Sequence, residues 1–158
     1  MHETGAVPMK QSPREQEQAK LFGPSKFSAA GFMGDDPRQP GEIIAADAVT
    51  VESLGTTREA VAALLAAAFD KAEAALGDPV ELRPGITATH YEARGKIPSP
   101  FRGDGVFQKG EVSITEKTGG TTIHVTRLGI SMIRNHGFFQ GRGSRYRIEP
   151  EDAVRLAG

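Results

Sequence analysis

One helix constrains the fold more than any other feature of this sequence. Thr56 and Glu59 have the spacing of a capping box, and Gly77 with Pro79 marks the end of the segment. Between these signals, apolar side chains recur at helical spacing and define one face: Val61, Leu64, Leu65, Ala68, Phe69, Ala72 and Leu76. The segment therefore predicts an amphipathic helix whose apolar face must be covered by other elements.

Three further helices are predicted. The first spans 42–54 and is closed by Gly55, so its short link to the following helix favours an antiparallel helical hairpin. The second spans 129–136 and ends at Gly137. The last spans 150–157, with proline and two acidic residues at its start, where the helix dipole favours them.

The strands come between the helices. Residues 80–82 and 86–94 are predicted to be extended, whereas two prolines and three glycines predict a loop without regular structure over 95–105. Residues 111–117 and 121–128 flank a T-G-G turn and predict a β-hairpin. Its alternation predicts an inward face of Val112, Ile114, Ile123 and Val125, and an outward face of Ser113, Thr115, Thr122, His124 and Thr126.

These elements predict an α+β fold, in which a helical hairpin packs on a small, mostly antiparallel β-sheet, with a short C-terminal helix. The polar residues 1–27 are predicted to form a flexible or loosely docked N-terminal arm. Residues 28–158 are predicted to form one domain.

Composition narrows the classes of protein. The 158-residue chain has no cysteine, which excludes a disulfide framework and a thiolate zinc site and fits a reducing compartment. The apolar run 60–69 is far too short to span a bilayer, and the N-terminus lacks the pattern of a signal peptide. The sequence thus predicts a cytoplasmic protein with no membrane partner.

Charge is distributed unevenly along the chain. Residues 1–93 carry 8 Lys and Arg against 14 Asp and Glu, whereas residues 94–147 carry 10 against 3, a net charge of +7. Such asymmetry can indicate an anionic partner. It can equally mean that the acidic helices face the basic half within the molecule.

The segment H-G-F-F-Q-G-R-G-S-R-Y-R, 136–147, concentrates much of this positive charge. Its glycines follow a helix and lack the G-K-[ST] ending of a P-loop, so no nucleotide cofactor is predicted. Arginine forks interleaved with aromatic rings can instead bind an anionic partner, nucleic acid included. The predicted binding residues are Arg142, Arg145, Arg147 and Tyr146, extended by Arg94, Lys96, Arg102 and Lys109 if the 95–105 loop lies alongside.

The alternative for this segment is structural. Phe138 and Phe139 would then belong to the core, the glycines would supply backbone freedom, and the arginines would face solvent.

Two histidines are candidate catalytic groups. His136 falls at the end of its helix, where it either stabilises the helix terminus or acts as a general base. His90, Glu92 and Arg94 alternate on one face of a strand, so His90 and Glu92 could form an acid–base pair or simply belong to an exposed polar sheet face. No complementary ligand motif exists elsewhere, so no metal site is predicted. His124 is predicted to be exposed.

Asp47 is the least expected carboxylate. It is four residues after Ile43 and four before Val51, on the predicted buried stripe of its helix. A buried carboxylate needs a partner, and an arginine of the basic half is the natural one. Catalytic use of Asp47 is the alternative.

Three segments carry a resemblance: 128–150 with its H-G-F-F-x-G-x-G-S-x-Y-R motif, G-F-M-G-D-D (31–36) and A-R-G-K-I-P-S-P-F (93–101). Together they resemble a family of small bacterial proteins, over most of the chain beyond the arm. The resemblance implies a bacterial cytoplasmic protein and carries over no activity, cofactor or catalytic residue.

Three functional hypotheses remain. The first is a non-catalytic binding or accessory module whose basic half meets nucleic acid, a phosphorylated ligand or an acidic protein surface. The second is a small hydrolase-like enzyme that uses His136, or His90 with Glu92, and an arginine clamp. The third is a structural protein that forms a homodimer through its sheet face or a sheet edge.

Overall fold

The computed structural model describes residues 31–158, so the predicted arm, 1–27, lies outside the described residues. Four helices are present in this part of the chain: α1 (Pro40–Ser53), α2 (Arg58–Ala74), α3 (Arg127–His136) and α4 (Pro150–Ala157). The first two follow each other through a short link and form the predicted helical hairpin. No helix within 31–158 has the length and apolar character needed to cross a membrane.

The strands form two antiparallel sheets. The larger contains β1 (Val80–Arg83), β2 (Ile86–Tyr91), β5 (Glu111–Glu116) and β6 (Thr122–Thr126), in the order β1-β2-β5-β6. A two-stranded ribbon pairs β3 (Lys96–Pro98) with β4 (Val106–Gln108). The α+β class, the helical hairpin and the short C-terminal helix are therefore confirmed.

The ribbon corrects one prediction, because residues 95–105 do contain regular structure. Ile97 lies opposite Phe107 in the register, and the prolines occupy positions that the short ribbon tolerates. Both apolar side chains pack against a small core cluster of Phe32, Ile43, Leu128, Met132 and Phe138. This packing favours strand pairing over the loop that proline and glycine predict.

The ends of α2 differ slightly from the prediction. Thr57, rather than Thr56, caps the helix, and its side chain accepts a hydrogen bond from the Ala60 amide at 3.1 Å. Leu76 lies beyond the last helical residue with a φ of 54° and is 87% exposed, so its assignment to the apolar stripe was wrong. The chain leaves the helix before Leu76 can turn toward the sheet.

The main core lies between α2 and one face of the large sheet. The predicted inward side chains of the hairpin, Val112, Ile114, Ile123 and Val125, are all buried there. They meet Val61, Leu65, Phe69 and Ala72 of α2. Phe139 and Ile148 join the same cluster, which places the segment after α3 against the core.

Candidate functional site

The arginine-rich segment after α3 is the first candidate, and Arg147 within it is buried. Its guanidinium donates to both carboxylate oxygens of Asp47, at 2.5 and 3.0 Å, and the two side chains are each 7% exposed. Arg147 also donates to Glu149 at 2.9 Å and to the Gln140 carbonyl at 3.0 Å. Burial opposes the charge, but these hydrogen bonds outweigh it and raise the pKa of Arg147. A solvent-facing role for Arg147 is therefore wrong, and the expected partner of Asp47 is found.

Arg145 reaches solvent but is also paired. Its guanidinium donates to Glu111 at 2.9 Å and lies 5.6 Å from the centroid of the Tyr146 ring. The Tyr146 hydroxyl donates to the other oxygen of Glu111 at 2.9 Å. Burial, and then this hydrogen bond, raises the pKa of Tyr146. Glu111 thus holds both residues in place and neutralises the arginine.

The glycines of this segment serve close backbone packing. The Gly141 amide donates to the Phe32 carbonyl at 2.8 Å, and the Asp35 amide donates to the Arg142 carbonyl at 3.1 Å. A Cβ at Gly141 would lie 2.3 Å from the Met33 oxygen, and a Cβ at Gly34 would lie 2.2 Å from the Ser144 nitrogen. Two loops, 31–36 and 140–144, therefore touch backbone to backbone, which only glycine permits. The structural alternative for the glycines is the correct one.

Arg142 stands at the outer end of this contact. Its amide donates to Asp36 at 3.1 Å, while its side chain is exposed and has no ion pair within 31–158. Asp36 is held by Arg38, which donates to it at 2.7 and 2.9 Å and keeps the pKa of that carboxyl well below its ordinary value. Among the ion pairs formed within residues 31–158, those of the loop include Arg145 and Arg147 but not the guanidinium of Arg142.

His136 has two partners beside the small core cluster. Its Nε2 lies 2.6 Å from Asp104 Oδ2, and its ring stacks on Phe101 with centroids 3.8 Å apart. Gly137 ends the helix in the left-handed conformation, as predicted. His136 and Asp47 bind different partners, Asp104 and Arg147, so the convergence that an active site of His136, Asp47 and an arginine requires is not formed.

His90 occupies a different environment from the exposed face that its alternation suggested. It lies opposite Val112 in the register, on the core side of the sheet, and is 8% exposed. Its ring meets the edge of Phe69 with centroids 5.5 Å apart. The exposed-face interpretation is therefore wrong for His90, because the end of β2 passes beneath α2. His124 is also only half-buried rather than exposed, and its Nδ1 lies 3.1 Å from Ser113 Oγ.

A concave cleft of about 470 Å³ opens above His90, and we call it the His90 cleft. Its volume is within the range of small-molecule sites. Phe69 and Glu73 of α2 form one wall, and the chain after β2 forms the other. The full lining is Phe69, Glu73, His90, Glu92, Ala93, Arg94, Gln108, Gly110 and Arg127.

The α2 wall of the cleft carries a charge cluster. Arg127 donates to Asp70 at 2.6 Å and to Glu73 at 3.1 Å, and its guanidinium lies 4.1 Å from the Phe69 ring centroid. His90 Nε2 is 3.7 Å from the second oxygen of Glu73. Arg127 is therefore neutralised by α2, and His90 has a carboxylate neighbour that the sequence did not indicate.

The opposite wall of the cleft contains Arg94, and Lys96 follows it two residues later in the chain. Arg94 and Lys96 are exposed, and neither has an ion pair among residues 31–158. Lys109 lies beside them, since its amide donates to the Gly95 carbonyl at 3.2 Å. We call these three residues the hairpin-base patch, because they surround the start of β3 and the end of β4. Arg102 lies at the far tip of the same ribbon and is also exposed.

The structure thus brings some predicted residues together and separates others. His90, Glu92 and Arg94 share the His90 cleft, whereas Arg145, Arg147 and Tyr146 form their own paired network. Glu73 belongs to the cleft but was missed, because helix periodicity does not show which exposed positions meet a strand end. Arg127 was assigned to the predicted strand 121–128, whereas β6 ends at Thr126 and Arg127 begins α3. Within residues 31–158 no group of three or more His, Asp or Glu side chains could hold a metal ion.

Comparisons of the chain with protein-family models, with curated proteins and with solved structures found no match.

Proposed function

We propose that this protein is a non-catalytic, cytoplasmic binding module for a small phosphorylated ligand. The single observation that carries the proposal is the position of Arg94, an exposed and unpaired guanidinium in the wall of the His90 cleft. A guanidinium there can bind a phosphate through two parallel hydrogen bonds. Lys96, two residues further along the chain, adds to the local positive potential.

Other groups of the cleft restrict the ligand. Glu73, Glu92 and the Gln108 amide lie in the same cleft as Arg94. Carboxylates repel a bare anion but accept hydrogen bonds from hydroxyl or amino groups. A ligand with a phosphate at one end and hydroxyl groups at the other therefore suits this wall better than an inorganic anion.

The same observations disfavour nucleic acid. Phe138 and Phe139 are buried, and Tyr146 is bound to Glu111, so the aromatic rings of the segment offer no stacking platform. Arg145 and Arg147 are neutralised by carboxylates. Arg94 and Lys96 supply two cations that have no ion pair among residues 31–158, whereas affinity for a polyanion grows with the number of phosphates that Lys and Arg side chains contact.

The proposal is tested with ribose 5-phosphate as the probe. Its binding to the full chain at low ionic strength is followed through amide chemical shifts, with ribose as the comparison that lacks the phosphate. We expect shifts at Arg94 and Lys96, and about tenfold or greater weakening in Arg94→Ala, because a charge-assisted hydrogen bond contributes about 1.5–3 kcal/mol.

Arg134→Ala is the matched control, since Arg134 is an exposed arginine of α3 with no ion pair within 31–158 and lies outside the cleft. Binding should be unchanged in this variant. No binding at low ionic strength, or equal weakening in both variants, overturns the proposal. Tight, steeply salt-dependent binding of a single-stranded oligonucleotide would replace it with the nucleic-acid hypothesis.

One observation favours a second candidate, the hydrolase-like enzyme. His90 has Glu73 beside it and opens to the cleft, which is the arrangement of a general base with an orienting carboxylate. Hydrolysis of p-nitrophenyl acetate and p-nitrophenyl phosphate by the full chain tests it. Turnover above buffer that disappears in His90→Asn would support this candidate over the non-catalytic one.

A further inference from the structure

A second cavity of about 370 Å³ lies on the other side of the ribbon from the His90 cleft. Its wall is mainly apolar, with Phe32, Ile97, Leu128 and the Tyr146 ring. It shares only Ala93 and Gln108 with the His90 cleft. We call it the Gln140 pocket, after the polar side chain in its wall.

Gln140 is 3% exposed, and only the oxygen of its side-chain amide has a hydrogen-bond partner among residues 31–158. The Ser144 hydroxyl donates to Gln140 Oε1 at 2.8 Å and itself accepts from the Tyr146 amide at 3.3 Å. In this arrangement the amide oxygen of Gln140 faces Ser144 and the nitrogen points away from it. Among residues 31–158, no acceptor pairs with Gln140 Nε2.

Leaving a buried amide donor unpaired is costly, and such groups in folded proteins call for an explanation. The backbone adds a second sign, because Gln140 has a φ of 72°, a conformation that favours glycine. Glycine is common in this loop, yet position 140 carries a long amide side chain in a strained conformation. Strain of this kind concentrates at ligand sites.

We propose that the Gln140 pocket is a binding site for a small, uncharged, apolar molecule with a carbonyl group. The carbonyl oxygen accepts a hydrogen bond from Gln140 Nε2, and the apolar part packs against Ile97, Leu128 and the Tyr146 ring. Arg145 and Glu111 in the wall neutralise each other, so neither offers an unpaired charge to the carbonyl group. The pocket borders the His90 cleft and shares Ala93 and Gln108 with it, but the contact proposed at Gln140 does not depend on the phosphate proposed for the cleft.

The test uses acetophenone as the probe, with ethylbenzene as the comparison that keeps the ring and the two-carbon side chain but lacks the oxygen. The full chain is labelled with ¹⁵N, and the Gln140 side-chain amide signals are assigned by their loss in Gln140→Met. We expect acetophenone to shift these signals and to show contacts with Ile97 and Leu128 methyl groups. Ethylbenzene should bind about threefold to tenfold more weakly, the value of one neutral hydrogen bond.

A second variant, which fills the pocket, keeps the test decisive if Gln140→Met does not fold. Ile97 is half-buried in the pocket wall and packs on the small core cluster, so the fold of Ile97→Trp is checked first by its amide spectrum, and the folded variant should not bind acetophenone. Equal affinity for the two probes, an unshifted Gln140 signal at saturation, or binding that survives Ile97→Trp would each overturn the proposal. Contacts from the Gln140 amide to protons outside residues 31–158, or to a second copy of the chain, would also overturn it.

Discussion

Arg147 donates to both carboxylate oxygens of Asp47, at 2.5 and 3.0 Å, although the two residues are 100 positions apart. The pair joins α1 to the segment that precedes α4. In this pair, the buried carboxylate and the buried guanidinium neutralise each other. Part of the charge asymmetry of the chain is therefore satisfied inside the molecule, as Arg127 also shows with Asp70 and Glu73.

The first prediction concerns this pair. Asp47→Ala should lower the free energy of unfolding by about 3–5 kcal/mol, because it leaves a buried arginine without its main partner. Glu149 still binds Arg147, which favours the lower end of that range. Chemical denaturation of Asp47→Ala, Arg147→Ala and the double variant measures the coupling free energy between the two residues. Additive losses in the double variant would contradict a direct interaction.

The second prediction concerns the contact of the loops 31–36 and 140–144. Gly141→Ala should destabilise the protein by about 1–3 kcal/mol or more, because the new Cβ would meet the Met33 carbonyl. Gly41→Ala is the matched control, since a Cβ there meets nothing within 4 Å and the residue lies in α1. The control should be neutral or stabilising by up to about 1 kcal/mol. Equal melting temperatures for the two variants would be incompatible with the close contact.

The third prediction concerns pH and His124. Burial, and then the nearby Arg145, lowers the pKa of His124 from its ordinary 6.5, despite Glu111 3.4 Å away. The unfolded chain then binds the proton more readily than the folded one, so this residue costs stability as the pH falls through 6.5. His124→Gln should keep more of its stability between pH 8 and pH 5.5 than the native chain does.

Thermal melts of both proteins across that pH range make the comparison. The two proteins differ only at position 124, so the difference between their melts isolates this residue. A pH dependence that is identical in the two proteins would show that His124 is not the responsible group.

The fourth prediction separates structure from catalysis at His136. His136→Ala should cost about 1–3 kcal/mol of stability, because Asp104 loses its partner and Phe101 its stacked ring. His136→Phe keeps the stacking on Phe101 and should therefore lose less stability than His136→Ala. Binding of ribose 5-phosphate should be unaltered in both. A variant of native stability with altered binding would assign His136 to the functional site instead.

Local signals predicted much of the fold. Helix caps, apolar periodicity and the T-G-G turn each involve residues within a few positions, so α2, α3, α4 and the β5–β6 hairpin were located correctly. The errors arose where distant packing overrides local preference. The β3–β4 ribbon forms because Ile97 and Phe107 have a core cluster to cover, and Leu76 leaves the apolar stripe because its helix ends early.

The candidate sites also combine features that local sequence signals predicted with features that distant packing decided. The sequence marked Asp47 as a carboxylate in need of an arginine, and it placed His90, Glu92 and Arg94 on one strand face, but β2 ends at Tyr91 and Glu92 and Arg94 follow it. It did not show that Arg147 is that arginine, that His90 lies beneath α2, or that the Gln140 amide nitrogen has no partner among residues 31–158. Alternation and periodicity describe which side chains share a face, a relation between near neighbours. Which faces then meet depends on the return path of the chain, and here backbone contact between two glycine-bearing loops decides that path.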